Sequence, residues 1–207
     1  MDGTFFVKTH IEQCNPLLQK AWYLLKFAVQ TQDEKQQKIY LEYFWTSIDE
    51  YYRQIAQFDG FQCGVGCSHC CFDNPHGIST VEIQRLIPRL TDKQKELVVS
   101  YFEEWNLLVQ ENPLLRQQAW KKKCLPCPLL EDGSCSVYDV RPMACRSFFS
   151  VHHPDWCHPL HPKYQQQPQI GHDDIHSLLE MLSTQNGWPR SQDLISGLYH
   201  QIQETHL

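Results

Sequence analysis

The chain has 207 residues, of which 42% are hydrophobic, so it can bury a sizeable core, and we expect one domain over residues 1–207. The net charge of −6 argues against nucleic acid phosphates or an anionic membrane surface as partners. Because no basic start precedes a long apolar run, and no apolar stretch could span a bilayer, the sequence indicates a cytoplasmic protein.

Two amphipathic helices are predicted in an N-terminal helical pair, residues 1–58. Asn15 and Pro16 are typical of the start of a helix, and apolar residues recur at helical spacing to residue 30. A longer helix is predicted from about Asp33 to Gln57, and its aromatic stripe indicates a core face. We interpret both helices as scaffold, and the isolated Cys14 as a small buried apolar residue.

A cysteine-cluster core follows over residues 59–150, and its first cluster packs four cysteines into nine residues: Cys63, Cys67, Cys70 and Cys71. Thiolates bind soft or borderline metals, and close spacing favours chelation. The side chains of neighbouring residues diverge in a regular element. At Cys70 and Cys71 the backbone is therefore bent, or the two thiolates bind different metals, or a strained disulfide joins them.

Helices are predicted between the two cysteine clusters. A capping box at Ser79–Glu82 opens a helix that Pro88 shortens or bends. The same signature at Thr91–Gln94 predicts a long helix to about Glu111, and a further helical turn follows Pro113 and ends near three lysines. These helices must pack to bring the clusters together, and a bound metal would lock that closure.

The second cluster contains four cysteines over 22 positions: Cys124, Cys127, Cys135 and Cys145. The first two have the two-residue gap of metal knuckles. The turn residues Asp132 and Gly133 predict a short hairpin before Cys135. Pro142 is predicted as the first residue of a helix, which would place Cys145 in its first turn, where the helix dipole favours a thiolate.

Eight cysteines would serve two four-coordinate sites, or one cluster plus a further ion. Ten cysteines without an export signal favour metal over disulfides, because the cytosol keeps thiols reduced. A four-thiolate site carries a net charge of about −2 with zinc or with an oxidised four-iron cluster. We therefore assign Arg141 and Arg146 as hydrogen-bond donors to sulfur or to a carboxylate. We interpret Lys121–Lys123 as an ordinary solvated face.

Two motifs carry a family resemblance: Cys-x3-Cys-x2-Cys-Cys over 63–71, and Cys127-Pro-Leu-Leu with Gly133-x-Cys135-x-Val-Tyr138-x-x-Arg141-Pro142-x-x-Cys145-Arg146-x-Phe148. Together they resemble the cysteine-cluster proteins described as a zinc- or iron-chelating domain, also called the YkgJ family, over roughly residues 63–148. The resemblance implies that the metal ligands match seven cysteines: Cys63, Cys67, Cys70, Cys71, Cys127, Cys135 and Cys145. Cys124 is added on its spacing from Cys127.

The remaining part, residues 151–207, is predicted as a His- and Pro-rich loop followed by two helices. The histidines of the loop, His152, His153, His158, His161 and His172, are each interpreted as solvated, and Cys157 stays open as a ligand or a surface residue. One helix is predicted from Asp173 or Asp174 to a stop at Asn186-Gly187, and Ser191 is predicted to cap the last helix.

The predicted fold class is mainly α, with a helical scaffold around an irregular cysteine-rich metal-binding core and a short β-hairpin. The predicted function is binding of zinc or an iron-sulfur cluster, between which the sequence does not choose, for a structural, metal-handling or interaction role. The alternative is an enzyme, either redox-active through an iron-sulfur centre or similar to flagellin lysine N-methylase, in which a related cluster occurs. A zinc-finger-like nucleic-acid module is the weakest hypothesis, given the acidic balance.

Overall fold

The computed structural model describes residues 15–57, 60–63, 66–111, 113–164 and 172–204. In those ranges the chain is mainly helical with one two-stranded hairpin, which confirms the predicted fold class. None of the helices described is both long and apolar enough to cross a bilayer. The elements are α1 (Pro16–Gln30), α2 (Glu34–Ala56), α3 (Thr80–Leu86), α4 (Asp92–Glu111), α5 (Arg116–Lys123), β1 (Leu130–Glu131), β2 (Ser134–Cys135), α6 (Met143–Arg146), α7 (Asp173–Gln185) and α8 (Leu194–Glu204).

Helix α1 begins at its predicted cap, Asn15, and α2 begins at Glu34, next to the predicted start at about Asp33. The Asn15 side chain accepts a hydrogen bond from the backbone N–H of Leu17 at 2.9 Å, and Asp33 accepts one from Lys35 at 2.9 Å. The two helices pack against α7 around one apolar cluster. Its fully buried members include Leu18, Ala21, Leu25, Phe44, Ile48, Ile175, Leu179 and Leu182. The aromatic stripe is therefore a core face, as predicted.

Helices α3, α4 and α8 form the second part of the scaffold. The capping box is present, because Ser79 N–H donates to Glu82 at 2.8 Å, and the helix passes into a 3₁₀ turn at Ile87–Arg89, which contains the proline. At the start of α4, Gln94 accepts from Thr91 N–H at 3.0 Å and its own N–H donates back at 3.3 Å. The apolar cluster between these helices also contacts Cys127 and Cys135, so the scaffold reaches the cysteine region.

The cap of α8 is Asp193, and the prediction of Ser191 is wrong. The Asp193 carboxylate accepts a hydrogen bond from the Ser196 N–H at 2.9 Å, the usual cap geometry. The same carboxylate accepts from the Trp105 indole at 3.2 Å and from the Asn74 amide at 2.9 Å. Ser191 lies two residues upstream of this cap. The Asp193 side chain thus both caps α8 and joins it to α4 and to Asn74, which follows the first cysteine cluster.

The His- and Pro-rich loop is irregular apart from a 3₁₀ turn at Pro154–Cys157, and residues 165–171 lie outside the described part. The prediction of solvated histidines is wrong for His172. That residue is only 9% exposed, and its ring lies 5.1 Å from the ring of Tyr51 and 6.2 Å from that of Tyr52, measured between centroids. Helix α7 then ends near Gly187, which has a positive φ of 76°, as predicted from Asn186-Gly187.

Candidate metal centre

The first cysteine cluster is held against the chain near Ser150. The backbone N–H of Gln62 donates to the Ser150 carbonyl at 2.7 Å, and the Ser150 N–H donates to the Cys63 sulfur at 3.0 Å. Further on, residues His69–Phe72 form a 3₁₀ turn. The thiols of Cys70 and Cys71 hydrogen-bond to each other there and both are free, so no disulfide joins them.

The second cluster is positioned by two tight turns. Cys124 ends α5 in a left-handed conformation, with φ of 51°. Asp132 and Gly133 have φ of 48° and 74°, which closes the predicted hairpin and pairs Cys135 with Leu130.

Helix α6 carries Cys145 and is fixed by a buried carboxylate. The helix begins at Met143 rather than at Pro142, whose extended backbone makes it the cap, so the predicted start is wrong by one residue. Cys145 still lies in the first turn, as predicted. The Met143 N–H donates to Glu82 of α3 at 2.7 Å, and this bond sets the position of α6 on the helical scaffold.

The two clusters meet directly. The backbone N–H of Cys127 donates to the carbonyl of Cys71 at 2.6 Å. A cavity of about 500 Å³ opens beside this contact. Seven of its lining residues are cysteines: Cys67, Cys70, Cys71, Cys127, Cys135, Cys145 and Cys157. The packing that the sequence required therefore occurs, and cysteines from both segments line one cavity.

Four of these thiols influence one another electrostatically: Cys70, Cys127, Cys135 and Cys145. Burial, with the neighbouring Cys70 adding to its effect, raises the pKa of the Cys145 thiol to about 12. Burial likewise raises the pKa of Cys127, with Cys145 and Cys135 adding to the effect. Packed this closely, the thiols carry protons unless a cation offsets the charge of their thiolates.

The chemistry of this donor set fits zinc or iron, because both bind four thiolates. As they stand, no three His, Cys, Asp or Glu side chains of the described residues are arranged to hold one ion. The hydrogen bond between Cys70 and Cys71 accounts for part of this, since it turns one thiol toward the other.

Arg141 supplies positive charge at the cavity wall. Its guanidinium lies 3.6 Å from the centroid of the Tyr138 ring, and its Nε donates to the Tyr138 carbonyl at 3.2 Å. The charge of Arg141 works to lower the pKa values of Cys135 and Cys145, against the effect of burial. Its hydrogen bond goes to a carbonyl, so the predicted role of Arg141 as a donor to sulfur or to a carboxylate stays a prediction.

Arg146 was predicted to donate to sulfur or to a carboxylate, and in the structure its partner is a carboxylate. It is 5% exposed and forms an ion pair with Asp49 of α2. Its other N–H groups donate to the carbonyls of Asp139 and Arg141. Arg146 therefore supports the backbone that carries Arg141 and joins it to the N-terminal helices.

Lys121 departs from the predicted solvated face. Its ammonium lies 3.0 Å from the carboxylate of Asp73 and 3.1 Å from the Tyr164 hydroxyl, and its side chain, 23% exposed, lines the cavity. Lys123 pairs with Glu104 on the outside at 2.7 Å. The interpretation of a solvated face therefore fails for Lys121.

Three further cysteines lie in a second group: Cys63, Cys67 and Cys157. Hydrogen bonds from the Cys63 thiol and from the His69 backbone N–H together lower the pKa of Cys67 to about 6, against the opposing effect of burial. The Cys157 thiol is buried, and the charges of Cys67 and Cys70 contribute to raising its pKa. Cys157 is thus placed inward, next to both groups, rather than on the loop surface.

Cys124 is separate from the cavity lining. Its sulfur lies 3.7 Å from Nε2 of His158, a residue of the His- and Pro-rich loop. Sequence reasoning also passed over His69, although this residue lies inside the first cysteine motif and lines the cavity. Its position between Cys67 and Cys70 was the signal that could have drawn attention to it.

Residues 62–170, more than half of the chain, match the CxxCxxCC family model, whose description is "putative zinc- or iron-chelating domain". The chain belongs to this family. Its first cluster has three residues between Cys63 and Cys67, one more than the spacing in the family's title. No curated protein and no solved structure matches the chain significantly. The match to the zinc- or iron-chelating domain spans both cysteine clusters, the hairpin and the loop that contains Cys157.

Proposed function

We propose that the chain binds zinc or iron as one four-thiolate centre made by Cys70, Cys127, Cys135 and Cys145, and that this centre stabilises the contact between the two cysteine segments. The observation that carries the proposal is the cavity, in which sulfur atoms from residues 75 positions apart in sequence share one electrostatic environment. The proposed centre uses four of the eight cysteines that were predicted as metal ligands.

The other four predicted ligands, Cys63, Cys67, Cys71 and Cys124, are left for a second role. Cys71 lines the same cavity and lies beside Cys70, so it is the natural replacement ligand if the centre is a cluster rather than a single ion. Cys63 and Cys124 are outside the cavity lining. We therefore expect substitution of Cys63 or Cys124 to lower the tightly bound metal less than substitution of one of the four proposed ligands.

Burial and charge both support this donor set. The thiols of Cys127 and Cys145 have raised pKa values because their thiolates would lack solvent and would repel the neighbouring thiolates. A divalent cation reverses both effects, so binding favours four thiolates where the metal-free site favours thiols. Arg141 offsets part of the remaining negative charge, since a four-thiolate site is about −2 overall. When bound, the metal would supply a positive centre that cross-links the two segments.

A structural role follows from the position of the centre. Cys127 and Cys135 contact the apolar cluster between α3, α4 and α8, and Cys145 lies on α6, which Glu82 joins to α3. A cross-link among these sulfurs therefore fixes the hairpin and α6 to the scaffold. The two enzyme alternatives stay predictions, because the described residues offer no observation that favours either of them.

Purification without oxygen, followed by elemental analysis and a visible spectrum, tests the proposal and separates the two metals. A brown protein with iron and acid-labile sulfide would be an iron-sulfur protein, and a colourless one with zinc would contain a zinc site. Protein that contains neither element and stays folded with all its thiols reactive would contradict the proposal.

Substitution of single cysteines tests the ligand set. We expect Cys135→Ser and Cys145→Ser each to lower the tightly bound metal and to make the protein easier to unfold, because each removes one of four sulfurs. Cys14→Ser, a cysteine outside both clusters, is the matched control and should retain full metal content. Full metal content in the first two variants would show that the assigned ligands are wrong.

A further inference from the structure

We propose that the cavity beside the cysteines also binds a small, neutral organic molecule, whose carbonyl oxygen accepts hydrogen bonds from Lys121 and Tyr164 and whose apolar body packs against the apolar part of the wall. This inference rests on the proposed function, because the four-thiolate centre takes up the cysteine-lined part of the cavity and sets its charge. It adds a ligand that a purely structural metal does not need.

The cavity is larger than a metal centre requires. Zinc lies about 2.3 Å from each thiolate sulfur, so one ion takes up less space than the roughly 30 Å³ of a water molecule, and a four-iron cluster has only about eight atoms. The cavity measures about 500 Å³, within the range of about 300–1,000 Å³ for pockets that bind small molecules. The walls therefore enclose room for such a ligand beside the centre.

The part of the wall that is not made by cysteines has the composition of a small-molecule site. Such sites are mainly apolar and contain a few polar groups that fix the orientation of the ligand. The apolar side chains of this wall include Leu129, Val137, Phe148, Pro159 and Leu194. The polar ones include Asp73, Gln117, Lys121 and Tyr164.

Helix α5 holds the polar side chains in position. Gln117 and Lys121 lie one turn apart on this helix, so they share a face, and both bind the Asp73 carboxylate. Gln117 also donates to the Asn74 carbonyl at 3.0 Å. The Lys121 ammonium is therefore fixed at the wall before any ligand binds, which reduces the cost of ordering it on binding.

Lys121 and Tyr164 form a pair of hydrogen-bond donors. Of the three ammonium N–H groups of Lys121, the described residues accept two, at Asp73 and at the Tyr164 hydroxyl, over 3.0 Å and 3.1 Å. The third N–H is left to donate. Because the Tyr164 hydroxyl accepts from Lys121, its own proton is also left to donate. Two donors 3.1 Å apart suit an acceptor oxygen that is shared between them.

The charges around the cavity favour a neutral acceptor over an anion. The charge of Lys121 is already offset by Asp73 at 3.0 Å. The four-thiolate centre carries about −2, of which Arg141 offsets only part. A carboxylate would be repelled by the remaining negative charge, whereas the carbonyl of an amide, ester or ketone would not. The site therefore fits a small carbonyl compound with an apolar body.

Benzamide is the probe for this site, since it joins a carbonyl to an apolar ring, and benzoate is its charged counterpart. Protein isolated without oxygen, with its tightly bound metal retained, is titrated with each compound, and the affinity is measured by ligand-observed NMR. We expect benzamide to bind with a Kd of about 1 mM or tighter. Benzoate should bind at least about threefold more weakly because of its charge.

Substitutions locate the bound probe. Tyr164→Phe removes one donor and leaves the ion pair of Lys121 with Asp73 in place, so it should weaken benzamide binding about three- to tenfold, as expected for one lost hydrogen bond. Lys121→Met removes the other donor and should weaken binding by at least as much. Tyr43→Phe is the matched control, because Tyr43 is 57% exposed on α2 and is not part of the cavity wall. Its affinity for benzamide should be unchanged.

Three results would overturn this inference: no saturable benzamide binding up to about 10 mM, equal affinities in Tyr164→Phe and Tyr43→Phe, or benzoate binding as tightly as benzamide. Elemental analysis of the same samples separates the two proposals. Full metal content without benzamide binding would contradict the carbonyl site alone, whereas folded protein without metal would contradict the four-thiolate centre.

Discussion

The buried carboxylate of Glu82 joins local and long-range structure. The residue is 2% exposed, and one of its oxygens accepts from the N–H and hydroxyl of Ser79, while the other accepts from the Met143 N–H at 2.7 Å. The sequence predicted the first contact, because a capping box is local. The second contact crosses 61 positions and places α6, with Cys145, on the scaffold.

Glu82→Gln should destabilise the protein by about 2 kcal/mol. Either orientation of the new amide turns an NH₂ group toward a backbone N–H, so one buried donor loses its acceptor. Chemical denaturation of the metal-bound protein measures the loss. Glu96→Gln, at an exposed position on α4, should change stability by no more than about 0.5 kcal/mol. Equal effects of the two substitutions would contradict this role of Glu82.

His172 should make the folded state sensitive to acid. Burial lowers the pKa of His172 to about 4 from its ordinary value of 6.5, and Nε2 has no hydrogen-bond partner among the described residues. The unfolded chain therefore binds a proton at this residue below pH 6.5, whereas the folded protein does so only near pH 4. Stability falls as the pH falls through that window, by up to about 3 kcal/mol for this group.

His172→Phe tests this effect, since phenylalanine keeps an aromatic ring between the tyrosines and cannot take up a proton. The measurement is the free energy of unfolding at several pH values between 6.5 and 4. We expect a shallower pH dependence for the variant than for the unaltered protein. His200→Gln, which removes an exposed histidine of α8, should keep the original slope. An unchanged pH dependence in His172→Phe would contradict this role of His172.

At the scale of elements, the sequence predicted what neighbouring residues determine. The caps at Asn15 and Ser79 are local signals, and the structure confirms them. Ser191 was wrong because serine and aspartate both cap helices, and the choice of Asp193 depends on Trp105 and Asn74, which are distant in sequence. The pairing of Arg146 with Asp49 is likewise set by tertiary packing alone.

The crossing of α3 and α8 depends on a glycine. A Cβ atom at Gly197 would lie 2.8 Å from Cδ1 and 2.9 Å from Cγ1 of Ile83, a fully buried side chain, so the helices approach too closely for a larger residue. Gly197→Ala should therefore lower stability, because overpacking costs about 1–3 kcal/mol while the gain in helix propensity is about 1 kcal/mol.

A double-mutant cycle checks the cause of this loss. Ile83→Ala leaves a cavity that the methyl group of Gly197→Ala would partly fill. The double variant should consequently be more stable than the sum of the two single changes indicates, as thermal denaturation would measure. Additive effects would mean that the methyl group at position 197 does not contact Ile83.

At the scale of the whole molecule, the sequence predicted that the helices would bring two cysteine segments together, and the structure places them in contact. The sequence could not show which thiols line the same cavity, because that depends on the directions of side chains after folding. Two cysteines illustrate this limit. Cys124, a predicted ligand, lies beside His158 and outside the cavity lining, whereas Cys157, which the sequence left open, lines the cavity. We propose that residues 1–207 unfold as one unit when metal is bound.

Removal of the metal should lower the midpoint of thermal unfolding strongly. A structural zinc site can contribute on the order of 10 kcal/mol, which is comparable to the whole stability of a domain. Circular dichroism before and after chelation, under reducing conditions and with metal loss checked by elemental analysis, measures the shift. Cys145→Ser should show a much smaller shift, since it starts with less metal. An unchanged midpoint in the unaltered protein would rule out the stabilising role.

The hydrogen bond from Cys127 to the Cys71 carbonyl makes one amide proton a reporter of how often the two segments separate. That proton can exchange with deuterium only while the junction is open. Its exchange rate, followed by NMR or mass spectrometry, would thus time the opening through which an ion enters or leaves. Loading with metal should slow this exchange more than that of amides in α1, which is distant from the junction in sequence.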